Sequence, residues 1–175
     1  VSKPIERWEF VAGKYLGMAL VLSVLVALFG LAMIGMLVFQ GSGVSSAVFK
    51  ALVLSWFEVL TVAAIAIFFS SFSTPFLSGI FALVMWGLGR VTPDIQAAIA
   101  NGSAWIKATA RLALEIVPDL HLFSPSGRLV EGATVTVHGD FITWGYVGLS
   151  SLHALGWIAG LLAIACLLFQ RRDFA

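Results

Sequence analysis

Residues 15–39 hold 25 consecutive positions without a charge, and 14 of them are Leu, Ile, Val or Phe. About 20 apolar residues cross a bilayer as a helix. At roughly −0.3 to −0.6 kcal/mol each, those side chains favour insertion by about 4–8 kcal/mol. This run is joined without a break to a charged, amphipathic segment, KPIERWEFVAGK at residues 3–14. Pro4 suits a first helical turn, where its missing N–H costs nothing. Glu6 and Glu9 follow near the positive end of the helix dipole. Ile5, Trp8, Ala12 and Tyr15 recur on one face, with Lys3, Arg7 and Lys14 on another. Trp8 and Tyr15 are residue types that favour the headgroup level. The expectation is a helix over residues 1–14 lying in water against one membrane face, followed by a crossing over 15–39.

The rest of the chain is built for the same solvent. It is 60% hydrophobic and only 11% charged, with a mean hydropathy of +1.02, whereas soluble domains average about 25% charged residues. The net charge of +1 gives no electrostatic reason to expect nucleic acid as a partner. The single cysteine, Cys166, excludes an intrachain disulfide and reads as a small packing residue inside the last apolar run.

After a hydrophilic turn at residues 40–46, a second span is expected at about 51–72, with Lys50 snorkelling at its mouth. Its twelve Leu, Ile, Val and Phe contribute about −4 to −7 kcal/mol against a cost of roughly 3 for the central Glu58. A third apolar run at 76–90 is short, about 21 Å of helix over its uncharged part. Reading it as a crossing rather than a re-entrant segment puts Lys3, Arg7 and Lys14 on the same side as Arg171 and Arg172, as the positive-inside rule expects. Both chain ends are then cytoplasmic.

The last span falls at 143–169, where Gly145, Gly148, Ser151, Gly156 and Gly160 form a small-residue face suited to close helix packing. Between the third and fourth spans lies the one long polar region, residues 91–142, placed outside the cytoplasm. An amphipathic helix over 105–117 is expected there, with Trp105, Leu112 and Ile116 dipping into the outer leaflet. A short strand is expected over 132–138.

No G-x-x-x-x-G-K-[ST] is present, so the chain is not expected to hydrolyse ATP. No H-E-x-x-H or paired metal-ligand spacing appears either. Asp119, His121 and Ser124 are close in sequence, but a polar loop bounded by two prolines explains them better than a catalytic triad does. His138 and Asp140 read the same way, and Asn101-Gly-Ser103 reads as a chance glycosylation match. Glu58 and His153 are the notable intramembrane polar residues. Acids inside a bilayer are costly and face a cavity or a partner. Counted from the outer ends of their spans, the two lie within ~3 Å of the same depth, so a Glu58–His153 pair is expected.

These pieces together resemble the permease subunits of ABC transporters of the type-2, exporter-like membrane family. PIERWEFVAGKYLG (4–17) is similar to the family's segment between its second and third spans. Glu58 with AIFFSSF (66–72) is similar to its fourth span. VPDLHLF (117–123) resembles a motif before the last span, and LFQRRDF (168–174) the usual terminus. The resemblance implies an all-α, polytopic bundle of which this chain covers the last four of six spans. It implies that residues 1–14 are a cytoplasmic coupling helix, with Pro4, Arg7, Trp8, Phe10 and Lys14 against a separate ATP-binding subunit. ATP and Mg would be bound there, not in this chain. A second permease copy would complete a transporter in the bacterial inner membrane. The other reading is a non-transporting membrane anchor or sensor subunit on the same scaffold.

Overall fold

The computed structural model describes residues 7–41, 43–99, 117–124 and 143–171. Among these are four long helices: α1 (Arg7–Phe39), α2 (Ser46–Ser70), α3 (Pro75–Ile99) and α4 (Trp144–Arg171). A 3-10 turn, Leu120–Phe123, lies between α3 and α4. Each long helix contains a stretch long and apolar enough to cross a membrane. The all-α, four-span architecture is therefore present, with no strand among the described residues.

Helix α2 is the axis of the bundle and packs against α1, α3 and α4. Small Ala63 and Ala64, both buried, let the neighbouring backbones approach, which is how helices gain packing energy where lipid supplies no hydrophobic drive. Three apolar clusters are stacked along it. At the end holding Arg7 and Arg171, Val11, Ile67 and Ala165 join α1, α2 and α4. In the middle, Leu60, Ala64, Ile65, Ala82, Ile158 and Leu161 join α2, α3 and α4. At the opposite end, Leu54, Val147 and Ala154 receive Leu120 and Phe123 from the 3-10 turn. The two ends are called here the terminal end and the loop end.

Several boundaries differ from the sequence-based expectation. α1 is one continuous helix of 33 residues, about 50 Å long. Residues 7–14 are continuous with the first span, with no proline between Glu9 and Tyr15 to stop the helix. Residues 1–6 lie outside the described residues. α2 begins at Ser46, not 51, because the Ser45 side chain accepts from the Ala47 N–H at 3.3 Å and caps it there. Lys50 is consequently one turn inside the helix. It does not snorkel at a mouth but is buried, with its ammonium 5.7 Å from the centre of the Trp144 ring.

The third helix continues nine residues past Arg90, to Ile99. Pro93 lacks the N–H that would bond the Gly89 carbonyl. The Thr92 hydroxyl takes over, shared between the Leu88 and Gly89 carbonyls at 3.1 and 3.3 Å, so the helix passes the proline. The helix expected at 105–117 and the strand expected at 132–138 lie outside the described residues, apart from Val117. So do Asn101, His138 and Asp140.

The segment around the 3-10 turn is pressed into the loop end. Leu120, Phe123 and Pro118 are fully buried. Asp119 caps the turn by accepting from the His121 N–H at 3.3 Å, and the Ser124 N–H donates to the His121 carbonyl. These local bonds match the polar-loop reading of Asp119, His121 and Ser124. Tyr146 of α4 donates its hydroxyl to the Leu122 carbonyl at 2.9 Å. The tightest approach is at Gly89, where an added Cβ would stand 2.5 Å from the Pro118 carbonyl oxygen and 3.0 Å from Leu120. Gly89→Ala is therefore expected to destabilise the purified protein by about 1–3 kcal/mol through overpacking. Gly35→Ala, where a Cβ meets open space, should shift stability by less than ~1 kcal/mol. Thermal unfolding of both variants in lipid nanodiscs checks this contrast.

Candidate functional site

Glu58 sits at the midpoint of α2, twelve residues from each end, and its residue surface is buried. Arg90 donates from Nη1 to Glu58 Oε1. The Trp86 indole N–H donates to the same oxygen at 3.0 Å. Trp86 and Arg90 are one turn apart on α3, which lets the guanidinium also lie 5.8 Å from the centre of the Trp86 ring. A carboxylate, a cation and an indole donor thus meet inside the apolar bundle. The pairing removes most of the cost of burying either charge alone. The Glu58 side chain is 11% exposed and that of Arg90 39%, so the pair has one open edge.

The expected Glu58–His153 pair is not formed. His153 instead accepts from the Trp157 indole N–H at 3.1 Å, within α4, and is exposed. Depth was matched but direction around the helix was not. The buried stripe of α4 runs through Val147, Ser150, Ala154, Ile158, Leu161 and Ala165, and His153 lies one residue off it. The small-residue face of α4 is likewise unused within the chain: an added Cβ at Gly148, Gly156 or Gly160 meets nothing described within 4 Å.

Trp86 and Arg90 are the partners that reading the sequence missed. A signal existed. The tight connection between Ser70 and Pro75 makes α2 and α3 an antiparallel hairpin, as the Phe69–Phe81 ring contact at 5.2 Å confirms. Arg90 is fifteen residues into α3 and Glu58 twelve residues before the end of α2. The offset is under one helical turn, within reach of a long side chain.

At the terminal end, the residues expected against a partner subunit are placed as follows. Trp8 is 51% and Phe10 56% exposed, and the Phe10 ring stacks on Phe169 of α4 at 5.8 Å. Lys14 lies on the same stretch of α1. Its ammonium donates to the Ser70 hydroxyl at the end of α2, 2.9 Å away. At the next residue of α1, the Tyr15 hydroxyl donates to the Leu60 carbonyl at 3.4 Å, and more than two turns along the Trp56 indole donates to the Ser23 hydroxyl at 2.7 Å. Arg7 begins α1, and Pro4 lies outside the described residues. No cluster of three or more metal-ligating side chains is present among the described residues.

The sequence profile of a family described as "ABC-2 family transporter protein" matches residues 1–174. The chain belongs to the ABC-2 transporter family. This ABC-2 protein is thus a multi-pass membrane subunit of the permease kind. No curated protein and no solved structure gives a match. Within this permease, Glu58 and Arg90 are expected to behave as one unit. Arg90→Gln should cost about 3–5 kcal/mol by leaving the buried Glu58 carboxylate without its partner, and Glu58→Gln should cost less, because the Arg90 side chain left behind is 39% exposed and solvated. The double variant should lose less than the sum of the two. Unfolding free energies in nanodiscs, arranged as a double-mutant cycle, measure the coupling, and strictly additive losses would show that the pair does not interact.

Proposed function

We propose that the chain is the membrane-spanning permease subunit of an ABC transporter that moves its substrate outward, driven by ATP hydrolysis in a separate subunit. ATP and Mg2+ belong to that subunit, and two permease copies with two ATP-binding subunits make the working transporter. In this reading Arg7 and Arg171 lie on the cytoplasmic face of a bacterial inner membrane. Lys3, Arg7, Lys14, Arg171 and Arg172 then satisfy the positive-inside rule together.

The observation that supports coupling is the construction of the terminal end. Trp8 and Phe10 each present about half of their surface, whereas Val11, one residue further, is buried against Ile67 and Ala165. An aromatic contact surface is therefore mounted on a helix end that is fastened to α2 and α4. Phe10 reaches α4 through Phe169, and Lys14 reaches α2 through Ser70. A load applied at Trp8 cannot bend α1 alone; it is shared by α1, α2 and α4. Closure of the ATP-binding subunits supplies the load, and a differential contact in the open and closed states converts it into a shift of the permease.

Two roles follow and separate in experiment. Trp8 is a docking residue, and Trp8→Ala should weaken association with the ATP-binding subunit by about 2 kcal/mol or more, roughly 30-fold. Lys14 is a transmitting residue, so Lys14→Ala should leave the ATP-binding subunit bound but lower substrate-stimulated ATP hydrolysis. Reversing charge at Arg7 and Lys14 together should lower coupled hydrolysis while membrane insertion stays intact. Co-purification and ATPase assays in reconstituted vesicles read both effects. Unchanged association and unchanged hydrolysis in all three variants would sink the coupling reading.

A further inference from the structure

We propose that the open edge of the Glu58–Arg90–Trp86 cluster is an intramembrane subsite for an oxyanion, a carboxylate or phosphate group carried by the transported molecule. The proposal rests on the transport reading above and names the chemistry its path would recognise. Only Nη1 of Arg90 engages a protein acceptor among the described residues. A guanidinium carries five N–H donors in a fixed fork, so the Nε and Nη2 side of Arg90 meets no acceptor among the described residues, and that side chain is 39% exposed.

Depth makes those spare donors informative. Glu58 is about 18 Å from either end of α2. Hydrocarbon cannot satisfy hydrogen-bond donors at such a depth. Nor does Arg90 escape by snorkelling towards the loop end. Its guanidinium is turned back to Trp86, one turn nearer the terminal end, and to Glu58. The exposed edge must therefore face something polar, which a lipid tail is not.

The surroundings fit an oxyanion. The Trp86 ring steadies the guanidinium from one side and Glu58 holds one of its edges, leaving the other edge set for a two-point contact with a carboxylate or phosphate. Gly89, next to Arg90 in the chain, is pressed on Pro118 and Leu120, and Leu54, one turn from Glu58, packs on Leu120 and Phe123. These apolar neighbours of the pair lower the local dielectric and strengthen a charged contact. The empty pair is neutral, so it is tolerated without cargo. The adjacent carboxylate also weakens the hold on an anion, as suits a site that must release what it binds.

The test uses the full permease with its ATP-binding subunit in phosphatidylcholine vesicles, carrying Cys166→Ala to remove the native thiol. Gly87→Cys places a thiol three residues before Arg90, where a Cβ meets open space. An anionic sulfonatoethyl thiosulfonate should modify it about tenfold faster than a cationic trimethylammonium-ethyl thiosulfonate, because Arg90 concentrates anions locally. Arg90→Gln should abolish that preference. Arg90→Lys, which keeps the charge but not the fork, serves if the first variant does not assemble, and should keep the preference but lose protection by ligand. Val84→Cys, turned about 120° away around the helix, should not react.

Two competitors identify the source of the oxyanion. Protection by phosphatidylglycerol added to the vesicles assigns a lipid headgroup, and protection by inorganic phosphate in the buffer assigns a soluble anion. Equal rates for the two reagents, or protection by neither competitor, overturns the subsite. ATP hydrolysis measured in the same vesicles keeps the two readings apart. Normal coupling without an anion preference counts against the subsite alone, and an anion preference without coupling counts against the transport reading alone.

Discussion

A carboxylate half-way along the central helix is the constraint around which this bundle is arranged. Glu58 is acceptable there because Arg90 and Trp86 of the neighbouring helix both turn to the same oxygen. That requirement fixes the register of α2 against α3. It also explains why α3 does not stop at its first charged residue: Arg90 is neutralised by its partner, and the Thr92 hydroxyl repairs the carbonyl that Pro93 leaves without a donor. Immediately before Arg90, Gly89 gives Pro118 and Leu120 room to rest on α3. The ion pair and the continuation of the helix are thus two outcomes of one placement of charge.

The terminal end is organised by different means. In a bilayer there is no hydrophobic gain from moving an apolar helix out of lipid and onto another apolar helix. α1 is mostly exposed along its spanning part, and it is held to α2 by directional contacts: Lys14 to Ser70, Tyr15 to Leu60 and Trp56 to Ser23. These three bonds fall on residues 14–23, just under a third of the helix, and set the register of α1 against α2.

The number and order of the spans were legible in the sequence because long uncharged apolar runs have almost one physical interpretation. The boundaries were less so, and each error has a local cause. Ser45 and Thr92 act through single side-chain hydrogen bonds that hydropathy does not record. Lys50 was expected at an interface because a lysine inside a span is costly, but the Trp144 ring from α4, distant in sequence, receives it. Glu58 was correctly singled out, yet its partner was assigned by depth alone. Which way a side chain points around a helix depends on which neighbours are present. An apolar helix with no polar face does not reveal that, and so His153 was preferred to Arg90. The Lys14–Ser70 bond was not legible either, because the two residues lie 56 positions apart.

The unequal lengths of the helices have a further consequence for the surrounding lipid. The uncharged stretch of α1 over residues 15–39 is about 38 Å long, whereas the apolar span of α3, Pro75–Thr92 with Arg90 neutralised inside it, is about 27 Å, against a hydrocarbon thickness of about 30 Å. α1 must lean over, and the leaflets beside α3 must pinch inward, each at a cost of fractions of a kcal/mol per Å. The protein therefore wears a lopsided hydrophobic belt. Membranes of different acyl-chain length would press on its two flanks in opposite senses, squeezing one side while relaxing the other.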